Sequence, residues 1–356
     1  MWILNTWLLL HINSLSIQHL SMYQLRNVVK LVALFHIAAF TTLACAGRDA
    51  KVDDSQGFRV ALLTPGPISD QSWNASAYTG LEFIRDSVGA EIRHVQTRTP
   101  AEFEENFRQY GASGYRLVVG HGFEFQDAAQ RVGPEFPKTL YVTTGGTGTG
   151  PNIAAMSFAF DEPSYLAGMV AAATSKTRVL AAIGGTELPP VKASFDAFAA
   201  GARAVDPAIS VITAYLGNWE DAGAGKEQAL ALIARRADVL FQNADAAGLG
   251  IFQAVREHPG TWIIGSNADQ NAIAPASTLG SVVIDVPRAF LLIAREVKSD
   301  TFQPRVVRFA TASGVVRWVA NPALAAAAAI PPAIEARIDS VRQAFLEGRG
   351  PLAPRH

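Results

Sequence analysis

The chain has 356 residues, of which 49% are apolar and 17% are charged, and its formal net charge is -1. This near-neutral balance argues against a basic nucleic-acid-binding surface and against a long charged disordered tail. Nucleic acid is therefore excluded as a leading partner, and the length after residue 50 suffices for two domains of ordinary size.

The N-terminal segment has the layout of a secretory signal peptide. Arg26 and Lys30 form a positively charged region, residues 31–40 form an apolar run, and small residues follow around Cys45, the only cysteine of the chain. The apolar run is too short to span a bilayer. The segment predicts export from the cytoplasm.

The start of the mature protein has two possible positions. "TLAC", residues 42–45, resembles the lipobox of bacterial lipoproteins, in which the cysteine is lipidated, although Thr42 stands where Leu or Val is usual. "ACA" instead fits ordinary signal-peptidase cleavage after Ala46. The predicted location is therefore a lipid anchor on the cell membrane or the periplasm.

Residues 1–21 precede a complete signal, so we interpret Met22 as the true start of translation. Residues 1–46 are then an upstream extension plus signal peptide, and residues 47–56 are a polar tether.

From Phe58 onward, short apolar runs alternate with amphipathic segments, which predicts βαβ units and parallel sheets. The first set of predicted strands is "RVALLT", "IRHVQ", "YRLVVG" and "TLYVTT". After "NIAAMSFAF" a second set follows, with strands at "RVLAAIGG", "ISVITAY", "DVLFQNA", "TWIIGS" and "LGSVVID". Two sets predict two doubly wound α/β lobes, and a helix at "PPAIEARIDSVRQAFLEGR" closes the chain.

Polar and aromatic residues gather where the predicted strands end. The segments concerned are "PISDQSWN", "GHGFEFQD", "GNWED", "NADAAGLG" and "SNADQN". In open parallel sheets, ligands bind beyond the carboxyl ends of the strands. These segments are therefore the candidate ligand-binding loops.

No segment of the sequence indicates an enzyme. His121, Glu124 and Asp127 lie in one motif but lack the spacing of a helical metal site, and no nucleophile and base are paired. "GGTGTG", residues 145–150, lacks the Lys-Ser/Thr ending of a phosphate-binding loop, so we interpret it as an interlobe or cleft loop. No catalytic residue, metal site or cofactor is predicted.

Many motifs together resemble the basic membrane protein family of ABC-transporter substrate-binding lipoproteins, which includes purine nucleoside receptors. They include "SDQSWNASAYTGL", "GHGFEFQDA", "PNIAAMSFAFDEPSYLAGMVAA", "GNWEDAGAGKEQA" and "IGSNADQ". The resemblance implies the type I periplasmic-binding-protein fold, in which two Rossmann-like lobes are joined by a three-crossing hinge. It also implies an exported protein that is a monomer, binds a nucleoside-like or nucleobase-like ligand and delivers it to an ABC permease.

The resemblance sets the expected lobe limits. Lobe one is expected to comprise residues 57–160 and 287–312, and lobe two residues 161–286 and 313–356.

Two alternative functions stay open. One is a lipoprotein that signals to a membrane receptor, and the other is a binding protein for a different planar small molecule. The repressors that share this fold are excluded by the export signal, since they carry a DNA-binding segment at that place.

Members of the family clamp a flat base between two aromatic rings, and the matching positions hold Trp73 and Trp219. Offset stacking of such rings on a planar ligand is favourable beyond the area that it buries. Asp70 and Asn74 are expected at polar edges of the ligand, although Asp70 alternatively caps the helix that follows. The remaining predicted ligand-binding residues are His121, Asn243 and Asn267.

Two positions depart from the nucleoside-binding pattern. Asn267 replaces an expected Asp that would bond the ribose hydroxyls, and Ile284 replaces an expected Lys. Because a neutral amide bonds a hydroxyl less strongly than a charged group does, ribose recognition is expected to be weaker than in the nucleoside receptors.

Overall fold

The computed structural model describes residues 57–324 and 330–352. The predicted upstream extension, the signal peptide, Cys45 and the tether lie outside the described residues. Among the helices of the described ranges, none combines the length and the apolar character needed to cross a membrane.

Twelve strands are present in the described part of the chain. They are β1 (Arg59–Thr64), β2 (Glu91–Gln96), β3 (Leu117–Gly120), β4 (Leu140–Thr144), β5 (Ile153–Phe158), β6 (Val179–Gly184), β7 (Ser210–Tyr215), β8 (Val239–Asn243), β9 (Trp262–Asn267), β10 (Thr278–Ile284), β11 (Val306–Phe309) and β12 (Val316–Ala320).

Nine α-helices accompany these strands in the same described ranges. They are α1 (Trp73–Val88), α2 (Pro100–Ala112), α3 (Gln126–Val132), α4 (Asp161–Thr174), α5 (Pro189–Val205), α6 (Ala222–Ala234), α7 (Gly248–Glu257), α8 (Val286–Lys298) and α9 (Pro332–Leu346).

The strands form two six-stranded sheets, ordered β11-β5-β4-β3-β1-β2 and β12-β10-β9-β8-β6-β7. Neighbouring strands are parallel throughout, apart from the antiparallel pair of β10 and β12. The chain passes from one sheet to the other after β5, after β10 and after β11. This topology confirms the predicted fold of two doubly wound lobes with a three-crossing hinge. The exact residues at which each lobe begins and ends stay a prediction.

Glu162, in the first turn of α4, joins two of the three crossings. One of its carboxylate oxygens accepts a hydrogen bond from the Thr311 backbone N–H at 2.8 Å, and the other accepts from Arg308 at 3.3 Å. Thr311 lies in the third crossing and Glu162 directly follows the first. A single side chain therefore holds these two connections side by side.

The helix that follows the second crossing completes lobe one. α8 packs against α1, and the Phe290 ring lies so close to Gly80 that a Cβ there would be 3.0 Å from it. Phe290 also meets the His121 ring edge to face, with centroids 5.6 Å apart. The core of lobe one thus depends on a residue more than 200 positions away in the sequence from Gly80.

In lobe two, α4 and α5 approach each other through glycines. A Cβ on Gly168 would collide with the Phe198 carbonyl oxygen, and one on Gly201 would collide with the Tyr165 carbonyl oxygen. Because the obstacles are backbone atoms, they cannot move aside as a flexible side chain could.

We expect Gly168→Ala to lower the free energy of unfolding by about 1–3 kcal/mol, the usual range for overpacking. Helix propensity alone would favour the alanine by roughly 0.5–1 kcal/mol, so the sign of the change separates the two effects. Urea denaturation followed by circular dichroism measures it. Gly57→Ala is the control, because a Cβ there meets nothing within 4 Å. A Gly168→Ala protein at least as stable as the wild type would contradict the helix contact.

Candidate functional site

The Asp70 carboxylate organises the loop between β1 and α1. Its Oδ1 accepts from the backbone N–H groups of Ser72 and Ala75 at 3.0 and 2.9 Å. Its Oδ2 accepts from the backbone N–H and the side-chain amide of Asn74, both at 2.8 Å. A negative charge is favourable at a helix N-terminus. The capping role considered for Asp70 is therefore present, and direct contact of Asp70 with a ligand stays a prediction.

Asn74 is held by the same carboxylate. Its amide nitrogen lies against Gly66, where a Cβ would come within 2.9 Å of it. Its Oδ1 is buried and accepts no hydrogen bond from the described residues. The side chain thus presents one acceptor that the described part of the protein leaves unused.

The Trp73 ring stacks on His121, with centroids 3.9 Å apart and planes inclined by 22°. The indole N–H donates to the His121 carbonyl oxygen at 3.3 Å. His121 Nε2 lies 3.0 Å from the Trp73 carbonyl oxygen, and because a carbonyl only accepts, Nε2 carries the proton. Nδ1 then accepts from the Thr144 hydroxyl at 3.2 Å.

Burial lowers the pKa of His121 to about 3, so the ring is neutral near physiological pH. Since both ring nitrogens are bonded within the protein, His121 supports the Trp73 ring in this arrangement. Ligand binding by His121 itself stays a prediction.

Trp219 lies in the loop that follows β7, on the other lobe. Its ring covers Gly185 so closely that a Cβ at that position would collide with it, and its carbonyl oxygen accepts from the Ala247 N–H at 3.0 Å. The ring is partly exposed, as is that of Trp73. Each lobe therefore presents one indole at the carboxyl edge of its sheet, backed by a fixed partner.

A hydrogen-bond network joins the two lobes. The Ser72 hydroxyl donates to Asp245 Oδ1 at 3.3 Å, across 173 residues of sequence. Asn267 Nδ2 lies within 3.2–3.3 Å of Ser72 Oγ, Asn243 Oδ1 and Asp245 Oδ1. The predicted site residues Asn243 and Asn267 are thus brought together, and the lobes touch at this edge.

Backbone strain gathers at the same place. Gln71, Asp245 and Asn267 have positive φ angles of 53°, 49° and 65°. Of these three residues, Asp and Asn adopt this region with some ease, so the Gln71 conformation is held by its surroundings. One such contact crosses the cleft, where Gln270 Nε2 donates to the Gln71 carbonyl oxygen at 3.0 Å.

Three carboxylates face this region: Asp70, Glu124 and Asp245. Burial raises the pKa of Glu124 and, with the charges of Asp70 and Glu124, raises that of Asp245 well above its ordinary value. Within residues 57–324 and 330–352, no ion pair includes any of the three. Three acidic side chains therefore lie near this edge without a basic partner among the described residues.

Other sequence motifs have a structural explanation in the described ranges. In the "GGTGTG" loop, the backbone N–H groups of Thr147 and Gly148 donate to Gln126 Oε1 at 2.9 and 2.8 Å. These donors are therefore already used. The part of the chain that the structure describes holds no group of three or more metal-ligating side chains.

Sequence reasoning did not select Ser72, Asp245 or Gln270. All three lie in the strand-end segments that the sequence analysis named as candidate ligand-binding loops. Their position directly after a predicted strand is the one feature of the sequence that could have identified them. Glu124 was considered only as an enzyme residue.

Two lobes with parallel sheets and a cleft at the strand ends define a periplasmic-type solute-binding protein. A family model described as ABC transporter substrate-binding protein PnrA-like matches residues 58–335. The chain belongs to this family of basic membrane proteins, as its motifs predicted, and the family comprises solute-binding components of ABC transporters rather than enzymes. Such components take a small-molecule ligand and act with a membrane permease.

Individual relatives agree with this assignment. Basic membrane protein A1 of Borrelia garinii subsp. bavariensis is 27% identical over 88% of this chain and 93% of its own length. A Lactococcus lactis protein named ABC transporter nucleoside-binding protein BmpA is 28% identical over 69% of this chain and 75% of its own. A solute-binding protein structure from Aeropyrum pernix has the same fold, with a TM-score of 0.77, 19% identity and coverage of 84% and 94%.

We expect Asp70→Ala to lower the free energy of unfolding by about 2–4 kcal/mol, because several buried N–H donors lose a charged acceptor. Asp221→Ala is the matched control. Asp221 caps α6 through one hydrogen bond from Ala224, so about 1 kcal/mol is expected there. Urea titration of both variants gives the comparison, and equal losses would contradict the central role of Asp70.

Proposed function

We propose that this protein captures a nucleoside or nucleobase between its lobes and presents it to an ABC permease. The observation that carries the proposal is the pair of partly exposed indoles, Trp73 and Trp219, one on each lobe and each backed by a fixed partner. His121 covers one face of Trp73, and Phe158 meets the same ring at 90° with centroids 6.1 Å apart. In this proposal, the planar ring of the ligand lies against the part of the indole that stays exposed. Every nucleobase can stack on an aromatic side chain, whichever hydrogen-bond donors and acceptors its edges carry.

Contacts to the ribose contribute less in this proposal. The Asn267 amide already has three acceptors within the protein, and Ile284 is a buried apolar residue at the end of β10. Neither offers a charged partner to a sugar hydroxyl. The name of the Lactococcus lactis relative supports a nucleoside as the ligand class, and the three acidic side chains near the cleft edge support binding through the base.

We expect Trp73→Ala and Trp219→Ala each to weaken nucleoside binding about 30-fold to 1000-fold, through loss of stacking and of buried aromatic area. Calorimetry with guanosine, inosine, adenosine, their free bases and a pyrimidine nucleoside measures the change. Trp318→Phe, on the edge strand β12, is the control and keeps the affinity. If no compound of the panel binds, the proposed ligand class is wrong. Nucleosides binding a hundredfold more tightly than their bases would contradict the weak ribose contacts.

For the location, we propose an exported monomer anchored through a lipid on Cys45. The basis is the sole cysteine directly after the apolar run of the signal sequence. One acyl chain holds a protein weakly at a bilayer, whereas two or more give a stable anchor.

Under this proposal, Cys45→Ser releases the protein from the membrane fraction into the soluble fraction. Fractionation followed by immunoblotting measures the shift, and Ala46→Ser, which keeps the cysteine and the small residue after it, is the control. A wild-type protein that is wholly soluble and begins at Gly47 would instead establish ordinary cleavage after Ala46.

A further inference from the structure

We propose that Glu124 and Asp245 determine ligand specificity by accepting hydrogen bonds from N–H donors of an aminopurine, one carboxylate from each lobe. This inference rests on the proposed function and deepens it, since it names the part of the ligand that the protein recognises. The donors on the base, rather than the sugar, then select the ligand.

The positions of the two carboxylates favour this role. Glu124 lies three residues after His121, the partner of the Trp73 ring, and Asp245 lies two residues before Ala247, which bonds the Trp219 backbone. Ser72, the residue before Trp73, donates directly to Asp245. Each carboxylate thus belongs to a segment that also contacts one of the two tryptophans proposed to hold the base.

Both carboxylates have unused acceptor capacity. The Asp245 hydrogen bonds from Ser72 and Asn267 converge on Oδ1, and no described residue donates to Oδ2. Glu124 is partly exposed, and its carboxylate accepts from its own backbone N–H. In the described ranges, no side chain donates to it or forms an ion pair with it. Gly122 beside it has no side chain, and a Cβ there would collide with Glu124 Oε2. The Glu124 carboxylate therefore lies over the Gly122 backbone.

A separate observation points the same way. Asn74 Oδ1, one residue from the Trp73 ring, is a fully buried acceptor with no donor among the described residues. The Asp70 carboxylate differs from Asn74 Oδ1, because four N–H groups already donate to it. Asn74 Oδ1 therefore stays available for a donor from a ligand.

A ligand with N–H donors would pair with Asp245 Oδ2 and Asn74 Oδ1, which have no donor among the described residues. Hydrogen bonds to charged groups are among the stronger ones, and a buried acceptor facing a ligand lone pair is unfavourable. Sites built to bond a ligand N–H strongly reject the analogue that lacks it. Adenine and guanine both carry an exocyclic amino group, which unsubstituted purine and hypoxanthine lack at the corresponding carbon.

The wild-type protein alone gives the first test. Calorimetry compares adenosine with purine riboside and guanosine with inosine, pairs that differ by one amino group. We expect the amino compound of at least one pair to bind about tenfold to a hundredfold more tightly. If the two compounds of each pair bind with equal affinity, the inference is overturned while the proposed function stands. If no nucleoside binds, both are overturned.

Two variants assign the effect to residues. Glu124→Gln and Asp245→Asn keep the side-chain shape, and Asn tolerates the positive φ of position 245. We expect at least one of them to reduce the affinity ratio within a pair by tenfold or more. We expect neither to lower the melting temperature without ligand, because each removes one member of a group of three neighbouring acids. Glu105→Gln, an exposed change on α2, is the control and keeps the ratio. A ratio unchanged in both cleft variants would overturn the inference.

Discussion

The ligand edge of lobe one depends on the carboxylate of Asp70. Four N–H groups surround it, and they fix where α1 begins and how the preceding loop turns. That turn directs Ser72 toward lobe two and places Trp73 on the His121 ring. A negative charge beside a helix N-terminus is favourable and is satisfied here without solvent. The cleft is therefore arranged before any ligand arrives, which reduces the entropy lost on binding.

In lobe two, close packing rather than a charged side chain fixes the position of the tryptophan. Gly185 at the end of β6 lets Trp219 lie flat on the backbone, and the Trp219 carbonyl is held by the loop that carries Asp245. Asp245 accepts from Ser72 of lobe one and lies near the other two cleft acids, so closure brings like charges together in a poorly solvated place. A ligand that supplies hydrogen-bond donors at this contact would therefore favour the arrangement in which the lobes touch.

The sequence predicted nine of the twelve strands in the described residues. β1 matches the predicted run, and the other predicted strands agree with the observed ones within about two residues, because most are continuously apolar. β5 lies inside "NIAAMSFAF", which was not assigned as a strand, and β11 and β12 were missed because exposed residues interrupt their apolar pattern. The tryptophans were found through family motifs. Ser72 and Asp245 were not, because their contact joins segments 173 residues apart and depends on closure of the lobes.

The position of α8 has a consequence for the order in which the protein can fold. Phe290 packs on Gly80 and against the His121 ring, yet it is synthesised only after every strand of lobe two except β12. Lobe one therefore cannot complete its core as a nascent N-terminal fragment, and a chain cut after β10 would leave α1 without its apolar cover. Contacts this distant in sequence make folding slow, so the unfinished lobe exposes apolar surface while the second lobe forms.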